Sequence, residues 1–390
     1  MVGEGCNYTI HLSFRCWPPL RPPGRVQHDP LAGKRMNILI VHPCKGFYGG
    51  AEEVVVQLCE YLRKQKHVVQ LITKNAPQEV SWSANGAYDV SNWVEFCRGV
   101  GSFSDWADVI CAFNFPATLA TLLKKTPIVW YCNEPPELFT SSLRKPVEAL
   151  NRWWVKKSRM TVVVADLPNF RRFRHLYGVS PRVVPYGVDY EFWSQEERRD
   201  WHSIDGLRLL QVGTVSPYKN QMASVVALAQ LKAEGVQAVL NLIGGVSDEA
   251  YYERLVEYAE CNKLHVQEGQ EEADITFLGQ MSQEETRYLY NNHHVLLHPV
   301  RGQGGWLVPF EAMCAGLPVV TIPRLSASEV IRHNKLGIVS QDMARSLLLK
   351  EHLGLNTETI RSWVRENLTW EQFGDKMTKI FREVTGGLYP

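Results

Sequence analysis

The chain has 390 residues, with 42 Lys and Arg against 41 Asp and Glu, a formal charge of +1, and 45% hydrophobic residues. At roughly 150 residues per domain, this length predicts two medium domains with sizeable cores. The near-neutral charge argues against a dedicated nucleic-acid binder, which would carry a strongly basic domain. No apolar run reaches the roughly 18 residues that a membrane span needs.

The first 35 residues differ from the rest of the chain. They contain five prolines, and polar residues interrupt the only stretch that resembles the apolar core of a signal peptide. We therefore expect residues 1–35 to be a disordered extension. The nine cysteines are scattered and form no C-x-x-C pair, which gives no zinc signature and favours a reducing compartment. These features predict a cytoplasmic protein without a metal.

From Met36 onward, short apolar strands alternate with amphipathic helices. Helices are predicted over Ala51–Gln65 and Leu143–Lys156, and strands over Asn37–His42, Val68–Thr73, Asp108–Phe113, Ile128–Cys132 and Thr161–Ala165. A β-α-β alternation of this length is typical of a parallel, doubly wound sheet.

A polar, irregular stretch at residues 191–206 interrupts the alternation, which then starts again. The second series of strands is predicted over Leu207–Gly213, Val239–Ile243, Ile275–Leu278, Val295–Pro299 and Pro318–Ile322. An amphipathic helix over Thr369–Val384 ends the pattern. We divide the chain into a first domain at 36–194, a second at 195–368, and a terminal helix at 369–390 that returns to the first domain. Ligands of such sheets bind at the carboxyl ends of strands, so the cleft between the domains is the expected site.

The first strand is followed by the sequence HPCKGFYGGAEEV, in which Gly49 and Gly50 precede a helix. Glycines there let backbone amides approach a ligand, and the helix N-terminus favours an anion such as a diphosphate. The motif is not G-x-G-x-x-G, and the second strand ends on Thr73 and Lys74 without an acidic residue. This pattern argues against a nicotinamide-dependent dehydrogenase.

The second half carries two more specific signals. The segment VGTVSPYKNQ places Lys219 in a loop after a strand, where a lysine can pair with phosphate. Further on, a glycine-rich turn with Gly304 and Gly305 precedes the helix FEAMCAG, which contains Glu311 among apolar residues. A carboxylate in such surroundings needs hydrogen-bond donors, and the vicinal hydroxyls of a ribose would supply them.

Taken together, these residues resemble the family 4 glycosyltransferases of the GT-B fold over nearly the whole chain from Met36 to about Val384. The resemblance is carried by GGAE at Gly49–Glu52, PYGVDYEFW at Pro185–Trp193, Lys219 with Asn220, FLGQMS at Phe277–Ser282, and PFEAMCAGLPVV at Pro309–Val320. It implies an α/β protein of two Rossmann-like doubly wound domains that face each other across a cleft.

The resemblance also implies a reaction. A hexosyl group would pass from a nucleotide diphosphate sugar to an acceptor hydroxyl on a glycan, a lipid-linked molecule or a small molecule, with retention and without metal or cofactor. The donor would bind the second domain and the acceptor the first. Lys219 stands where the family binds the diphosphate and Glu311 where it binds the ribose, while Gly49 and Gly50 match the glycines beside the donor phosphate. The donor site would also include Thr214, Gly304, Gly305 and Trp306. The catalytic residues would be Lys219, Glu311, Gln303 and Glu134, and Asn133 and Glu134 would lie on the acceptor side.

Four positions depart from the family pattern. Thr214 stands where an arginine is frequent, Gln303 replaces the first glutamate of the E-x7-E pattern, and Trp306 stands where a glycine is common. Asn133 replaces a frequent histidine, which leaves Glu134 to contact the donor sugar or the acceptor. Two alternatives therefore stay open, namely a sugar-nucleotide epimerase or phosphorylase on the same fold, and a catalytically silent protein that binds nucleotide sugars or glycans.

Basic residues concentrate between positions 141 and 175. We define the basic patch as Arg144, Lys145, Arg152, Trp153, Trp154, Lys156, Lys157 and Arg159. Such a surface could lie on anionic lipid at the cytoplasmic face of a membrane, or hold a phosphorylated lipid acceptor. In the competing interpretation, which we favour slightly, the patch is a solvated helix whose tryptophans pack inward.

Overall fold

The computed structural model describes residues 35–44, 49–133, 145–195, 206–269, 273–301, 306–323 and 327–386. Two seven-stranded sheets follow each other along these residues, and all of their neighbouring strands are parallel. The prediction of two doubly wound α/β sheets is thus confirmed. Of the predicted extension at residues 1–35, residues 1–34 lie outside the described part of the chain.

The first sheet has the order β3-β2-β1-β4-β5-β6-β7. Its strands are β1 (Asn37–Pro43), β2 (Val68–Lys74), β3 (Gly86–Val90), β4 (Val109–Phe113), β5 (Ile128–Tyr131), β6 (Thr161–Val164) and β7 (Arg182–Val183). The helices of this half are α1 (Gly50–Lys64), α2 (Gln78–Trp82), α3 (Trp93–Ser104), α4 (Ala117–Ala120), α5 (Lys145–Lys157), α6 (Leu167–Tyr177) and α7 (Tyr190–Trp193).

The second sheet has the order β10-β11-β9-β8-β12-β13-β14. Its strands are β8 (Leu207–Val212), β9 (Ala238–Ile243), β10 (Val266–Glu268), β11 (Ile275–Gly279), β12 (Val295–His298), β13 (Val319–Thr321) and β14 (Ile338–Val339). The helices are α8 (Gln221–Ala233), α9 (Glu249–Cys261), α10 (Gln283–Asn291), α11 (Leu307–Cys314), α12 (Ser328–His333), α13 (Met343–Leu348), α14 (Thr357–Asn367) and α15 (Trp370–Gly386), with a 3-10 turn at Glu351–Gly354.

The central strands are buried on both faces, which explains their continuous apolar sequences. In β1, Ile38 and Ile40 face one core while Leu39 and Val41 face another, and all four side chains are fully buried. Side chains alternate across a strand, so a strand covered by helices on both sides needs apolar residues at every position. These strands are the ones that the sequence pattern predicts, with ends that differ by a single residue.

Four strands were not predicted, and they are the four edges of the two sheets: β3, β7, β10 and β14. Each is short, and their residues are at most partly buried. An edge strand pairs on one side only, so its sequence needs less of the apolar alternation that signals a strand.

The last helix, α15, packs on the first half of the chain although it follows the second sheet. Its Phe373 ring lies 5.6 Å from the Tyr131 ring of β5, and Asp375 accepts a hydrogen bond from Tyr61 of α1. The chain enters α15 beside the segment that leaves the first sheet, where the Val188 N–H donates to the Leu368 carbonyl at 2.9 Å. Both connections between the two halves therefore run side by side.

Candidate active site

The carboxyl edges of the two sheets meet at a cleft that brings three sequence motifs together. Gly50 begins α1 after β1, Lys219 lies in the loop after β8, and Glu311 lies in α11 after β12. A Cβ added at Gly50 would lie only 3.4 Å from Cδ1 of Leu307, the first residue of α11. The glycine turn of the first half therefore contacts the helix that carries Glu311.

The N-terminus of α1 is open toward this cleft. Gly49 occupies the N-cap position with an extended backbone, and its carbonyl accepts the Glu53 N–H at 2.9 Å. Within the described residues no side chain caps this helix, because glycine has none to offer. The first N–H groups of a 15-residue helix, together with its dipole, thus remain available to an anion.

Buried amides hold the loop that carries Lys219. Gln211 donates to the Lys219 carbonyl at 2.9 Å, and Asn220 donates to the Pro299 carbonyl at 3.0 Å. Gln221 donates to the carbonyls of Gly213 and Thr214 at 3.2 and 2.9 Å. These bonds satisfy the loop backbone from inside the domain, so the loop is fixed before any ligand arrives.

Two glycines allow this loop to pack closely. A Cβ at Gly213, which has φ +141°, would lie 3.1 Å from Cδ of Lys219. A Cβ at Gly244, with φ +135°, would overlap the backbone carbonyl of Gly213. The close approach of the β8 and β9 ends therefore depends on glycine at both positions.

Glu311 is the most strongly perturbed carboxyl group of the cleft. Its pKa is raised to about 8, mainly by burial and to a smaller extent by the charge of Glu53. A hydrogen bond from Tyr290 at 3.4 Å and the charge of Lys219 act in the opposite direction. The residue as a whole is partly buried, while its carboxylate is poorly solvated. Strongly perturbed groups in clefts are typical of functional sites.

Glu53 is a residue that sequence reasoning missed. It lies in the first turn of α1, where it accepts a hydrogen bond from Gln57 at 2.9 Å, and its charge acts on Glu311 across the cleft. The acidic pair after GGA was visible in the sequence, but its relation to Glu311 depends on how the two halves dock.

The remaining predicted positions have distinct surroundings. Thr214 is exposed at the end of β8, whereas Trp306 exposes only 4% of its surface and packs 5.0 Å from the Phe310 ring. Asn133 is partly buried and accepts a hydrogen bond from Tyr186, whose ring lies 6.2 Å from that of Trp306. Asn133 and Trp306 are thus linked through Tyr186 across the two halves. Glu134, Gln303, Gly304 and Gly305 lie outside the described residues.

One trio among the described residues could hold a metal ion. The ligand atoms of His42, Cys44 and Glu52 lie within 4.8 Å of one another, and all three side chains are buried. His42 Nε2 lies 3.3 Å from Glu52 Oε1, so these two groups already satisfy each other. The absence of a metal from the reaction stays a prediction.

Only some side chains of the basic patch are exposed. Lys145, Trp153, Lys156, Lys157 and Arg159 are exposed, while Arg152 pairs with Glu148 one turn earlier. The inclusion of Trp154 was wrong, because this side chain is 4% exposed and donates to Thr121 Oγ1 at 3.1 Å. Consecutive residues of a helix point about 100° apart, so the two neighbouring tryptophans do not share a face. Arg144 lies outside the described residues.

Comparisons with known proteins agree with this fold. Residues 48–192 match the family described as Glycosyltransferase Family 4, and residues 194–351 match Glycosyl transferases group 1. The two matches divide the chain between the sheets and together cover most of it. The chain therefore belongs to the family 4-like glycosyltransferases. No curated protein sequence matches it significantly.

Solved structures with similar folds include a protein described as a glycosyltransferase. Anabaena HepE in complex with UDP-glucose is 16% identical, covers 90% of this chain and 100% of its own, and gives a TM-score of 0.73. A glycosyltransferase from Rickettsia africae is 16% identical, with coverage of 90% and 98% and a TM-score of 0.69. Sucrose-phosphate synthase from Thermosynechococcus elongatus is 17% identical, with coverage of 90% and 100% and a TM-score of 0.68. The shared architecture is the two-domain GT-B fold. Among the described residues, no helix has the length and apolar character to cross a membrane.

Proposed function

We propose that the chain transfers a hexosyl group from a nucleotide diphosphate sugar to an acceptor hydroxyl, with retention of configuration and without a metal. The observation that carries the proposal is the meeting of the α1 N-terminus with Lys219 and Glu311 at one cleft. An uncapped helix end and a lysine favour a diphosphate, and a poorly solvated carboxylate favours ribose hydroxyls. HepE holds UDP-glucose, which makes UDP-sugars the first donors to test.

In this mechanism the acceptor oxygen forms a bond to the anomeric carbon while the bond from that carbon to the diphosphate breaks. The departing diphosphate oxygen takes the acceptor proton on the same face. The protein stabilises the charge that develops on the leaving group, through the Lys219 ammonium and the N–H groups at the start of α1. Closure of the two halves would align the acceptor on the first domain with the donor on the second.

Product analysis tests the proposal. The purified protein is incubated with a UDP-sugar panel and an acceptor panel, and anomeric configuration is read by NMR. A glycoside with the configuration of the donor is the expected product. A rearranged sugar nucleotide without acceptor would indicate an epimerase, and release of a sugar phosphate would indicate a phosphorylase. Binding without turnover, seen as a raised melting temperature, would leave only a silent binding protein.

We further propose that the exposed part of the basic patch contacts anionic membrane lipid from the cytoplasmic side. Support comes from α5, where exposed Trp153 lies among exposed Lys145, Lys156 and Lys157, with Leu150 also 42% exposed. An amphipathic surface of this kind combines apolar insertion with attraction to anionic headgroups. Sedimentation with anionic vesicles at low salt tests it, and failure to pellet with lipid would contradict it.

A further inference from the structure

An apolar pocket of about 400 Å³ opens on the first half of the chain, apart from the residues that form the donor site. Its wall includes Trp93 and Cys97 of α3, Phe115, Leu119 of α4 and Val147 of α5. This volume falls within the range of about 300–1,000 Å³ that is usual for small-molecule sites. The pocket is therefore large enough to hold part of a ligand.

The pocket lies at the carboxyl edge of the first sheet. Trp93 begins α3 shortly after β3, Phe115 follows β4, and Val147 lies in the first turn of α5. The carboxyl ends of parallel strands share one edge, which is also the edge of Gly49 and Asn133. The pocket thus opens on the side where the acceptor would enter the cleft.

The mouth of the pocket exposes more apolar surface than folding requires. Trp93 is 43% exposed and Val147 40% exposed, although the core beneath them is fully formed by residues such as Phe96 and Val100. Exposed apolar clusters with a polar rim commonly mark a binding surface. The lining itself is almost entirely apolar, which selects a hydrocarbon in preference to a sugar.

The side chain of Lys124 places a positive charge beside the pocket. The charge of Lys124 lowers the pKa of the Cys97 thiol, against the burial that raises it, so the ammonium lies close to the pocket wall. A Cβ at Gly101, one turn beyond Cys97, would lie 3.3 Å from Lys124 Nζ. Lys124 is partly buried and forms no ion pair with another described residue. An apolar pocket beside such an ammonium complements an amphiphile with an anionic head.

We propose that this pocket holds the hydrocarbon chain of a phosphate-bearing acceptor, with the chain between Trp93, Leu119 and Val147 and the phosphate beside Lys124. The proposal rests on the proposed function, because it takes the first half as the acceptor side. It specifies the acceptor class as a lipid phosphate or an alkyl phosphate, whose phosphate stays beside Lys124 while its hydroxyl end reaches toward the cleft.

Cys97 provides a direct probe, because it lines the pocket and is exposed. Cys261 is the other exposed cysteine among the described residues. In a Cys6→Ser, Cys16→Ser, Cys261→Ser background, the rate of alkylation of Cys97 by N-ethylmaleimide is measured with octyl phosphate, hexyl phosphate, octyl glucoside or inorganic phosphate. We expect octyl phosphate to slow alkylation at least fivefold at saturation. Hexyl phosphate should bind about fifteenfold more weakly, since it lacks two methylenes and each buried methylene contributes roughly fourfold.

Matched variants separate the two parts of the proposed site. Val147→Glu places a charge at the mouth of the pocket and should weaken the binding of octyl phosphate at least tenfold. Val94→Glu, at a more exposed neighbouring position, should change this binding less than twofold. Lys124→Ala should weaken the binding of octyl phosphate about fivefold but leave the binding of octyl glucoside unchanged. The adjacent exposed Lys125→Ala is its control. Unchanged thermal unfolding establishes that each variant is folded.

Two results would overturn the proposal. If inorganic phosphate protects Cys97 as well as octyl phosphate does, the hydrocarbon chain of the ligand contributes nothing to binding. If octyl phosphate gives no protection up to millimolar concentration, the pocket does not bind it. Protection of Cys97 needs no sugar transfer, so this outcome is independent of turnover. If transfer to a chain-free acceptor occurs while Cys97 stays unprotected, the pocket assignment fails and the proposed function survives. If Cys97 is protected but no transfer occurs, the pocket assignment survives and the proposed function fails.

Discussion

The two sheets present their carboxyl edges to the cleft in different ways. On the second sheet, the loop with Lys219 is fixed by buried amides from Gln211 and Gln221 and by the close contact of Gly213 with Gly244. On the first sheet, no described side chain caps the start of α1, and the α3–α5 region exposes an apolar pocket. Under the proposed function, the rigid edge suits one constant group, the nucleotide diphosphate, and the open edge would select the acceptor.

The largest effect should come from breaking the rigid edge. Gly244→Ala forces a side chain onto the backbone of Gly213 at φ +135°, so we expect a loss of about 3 kcal/mol of unfolding free energy. The neighbouring Gly245→Ala is the control, because nothing lies within 4 Å of a Cβ there. Urea unfolding measures both, and equal midpoints would contradict the close contact.

The pKa of Glu311 tests whether the rigid edge holds a poorly solvated carboxylate. Burial raises the folded-state pKa to about 8, so the unfolded chain ionises first as pH rises and stability falls between about pH 4.5 and 8. Because Glu311 is only partly buried as a residue, we expect a loss of about 2 kcal/mol relative to Glu311→Gln. Parallel pH–stability curves for the two proteins would show that Glu311 is normally solvated.

Removing the side-chain groups of Lys219 and Glu311, without disturbing the backbone of the rigid edge, tests the function of that edge. Lys219→Ala and Glu311→Ala should each lower kcat/KM for transfer at least about tenfold, roughly 1.4 kcal/mol of transition-state stabilisation. Lys376→Ala, an exposed lysine of α15 far from the motifs, should leave transfer unchanged. Normal turnover in folded Lys219→Ala protein would remove the diphosphate role of this lysine.

The smallest effect concerns the open edge at a membrane. Trp153→Ala combined with Lys156→Ala and Lys157→Ala should weaken partitioning onto vesicles with anionic lipid about fivefold at low salt, or about 1 kcal/mol. Lys376→Ala again serves as the control for loss of a positive charge. Vesicle sedimentation measures the bound fraction, and identical partitioning of the two variants would rule out the patch as the contact.

The sequence was sufficient for the parts of the molecule that local physics determines. Central strands such as β1 are apolar at every position, and Lys219 and Glu311 follow strands whose carboxyl ends must face the cleft. Edge strands such as β3 were missed because one-sided pairing weakens their pattern. The effect of Glu53 on Glu311 was missed for a different reason, since it depends on the docking of two domains that are distant in sequence. The burial of Trp154 could have been predicted from the helical periodicity of the sequence alone.

The position of α15 has a consequence for the order in which the protein folds. The face of the first sheet that carries Ile38, Ile40 and Tyr131 is covered by α1 together with α15, and α15 is synthesised after the whole second sheet. A ribosome therefore delivers the first domain with part of this face open to water. The first domain can therefore bury this face completely only after the last helix of the chain has been made.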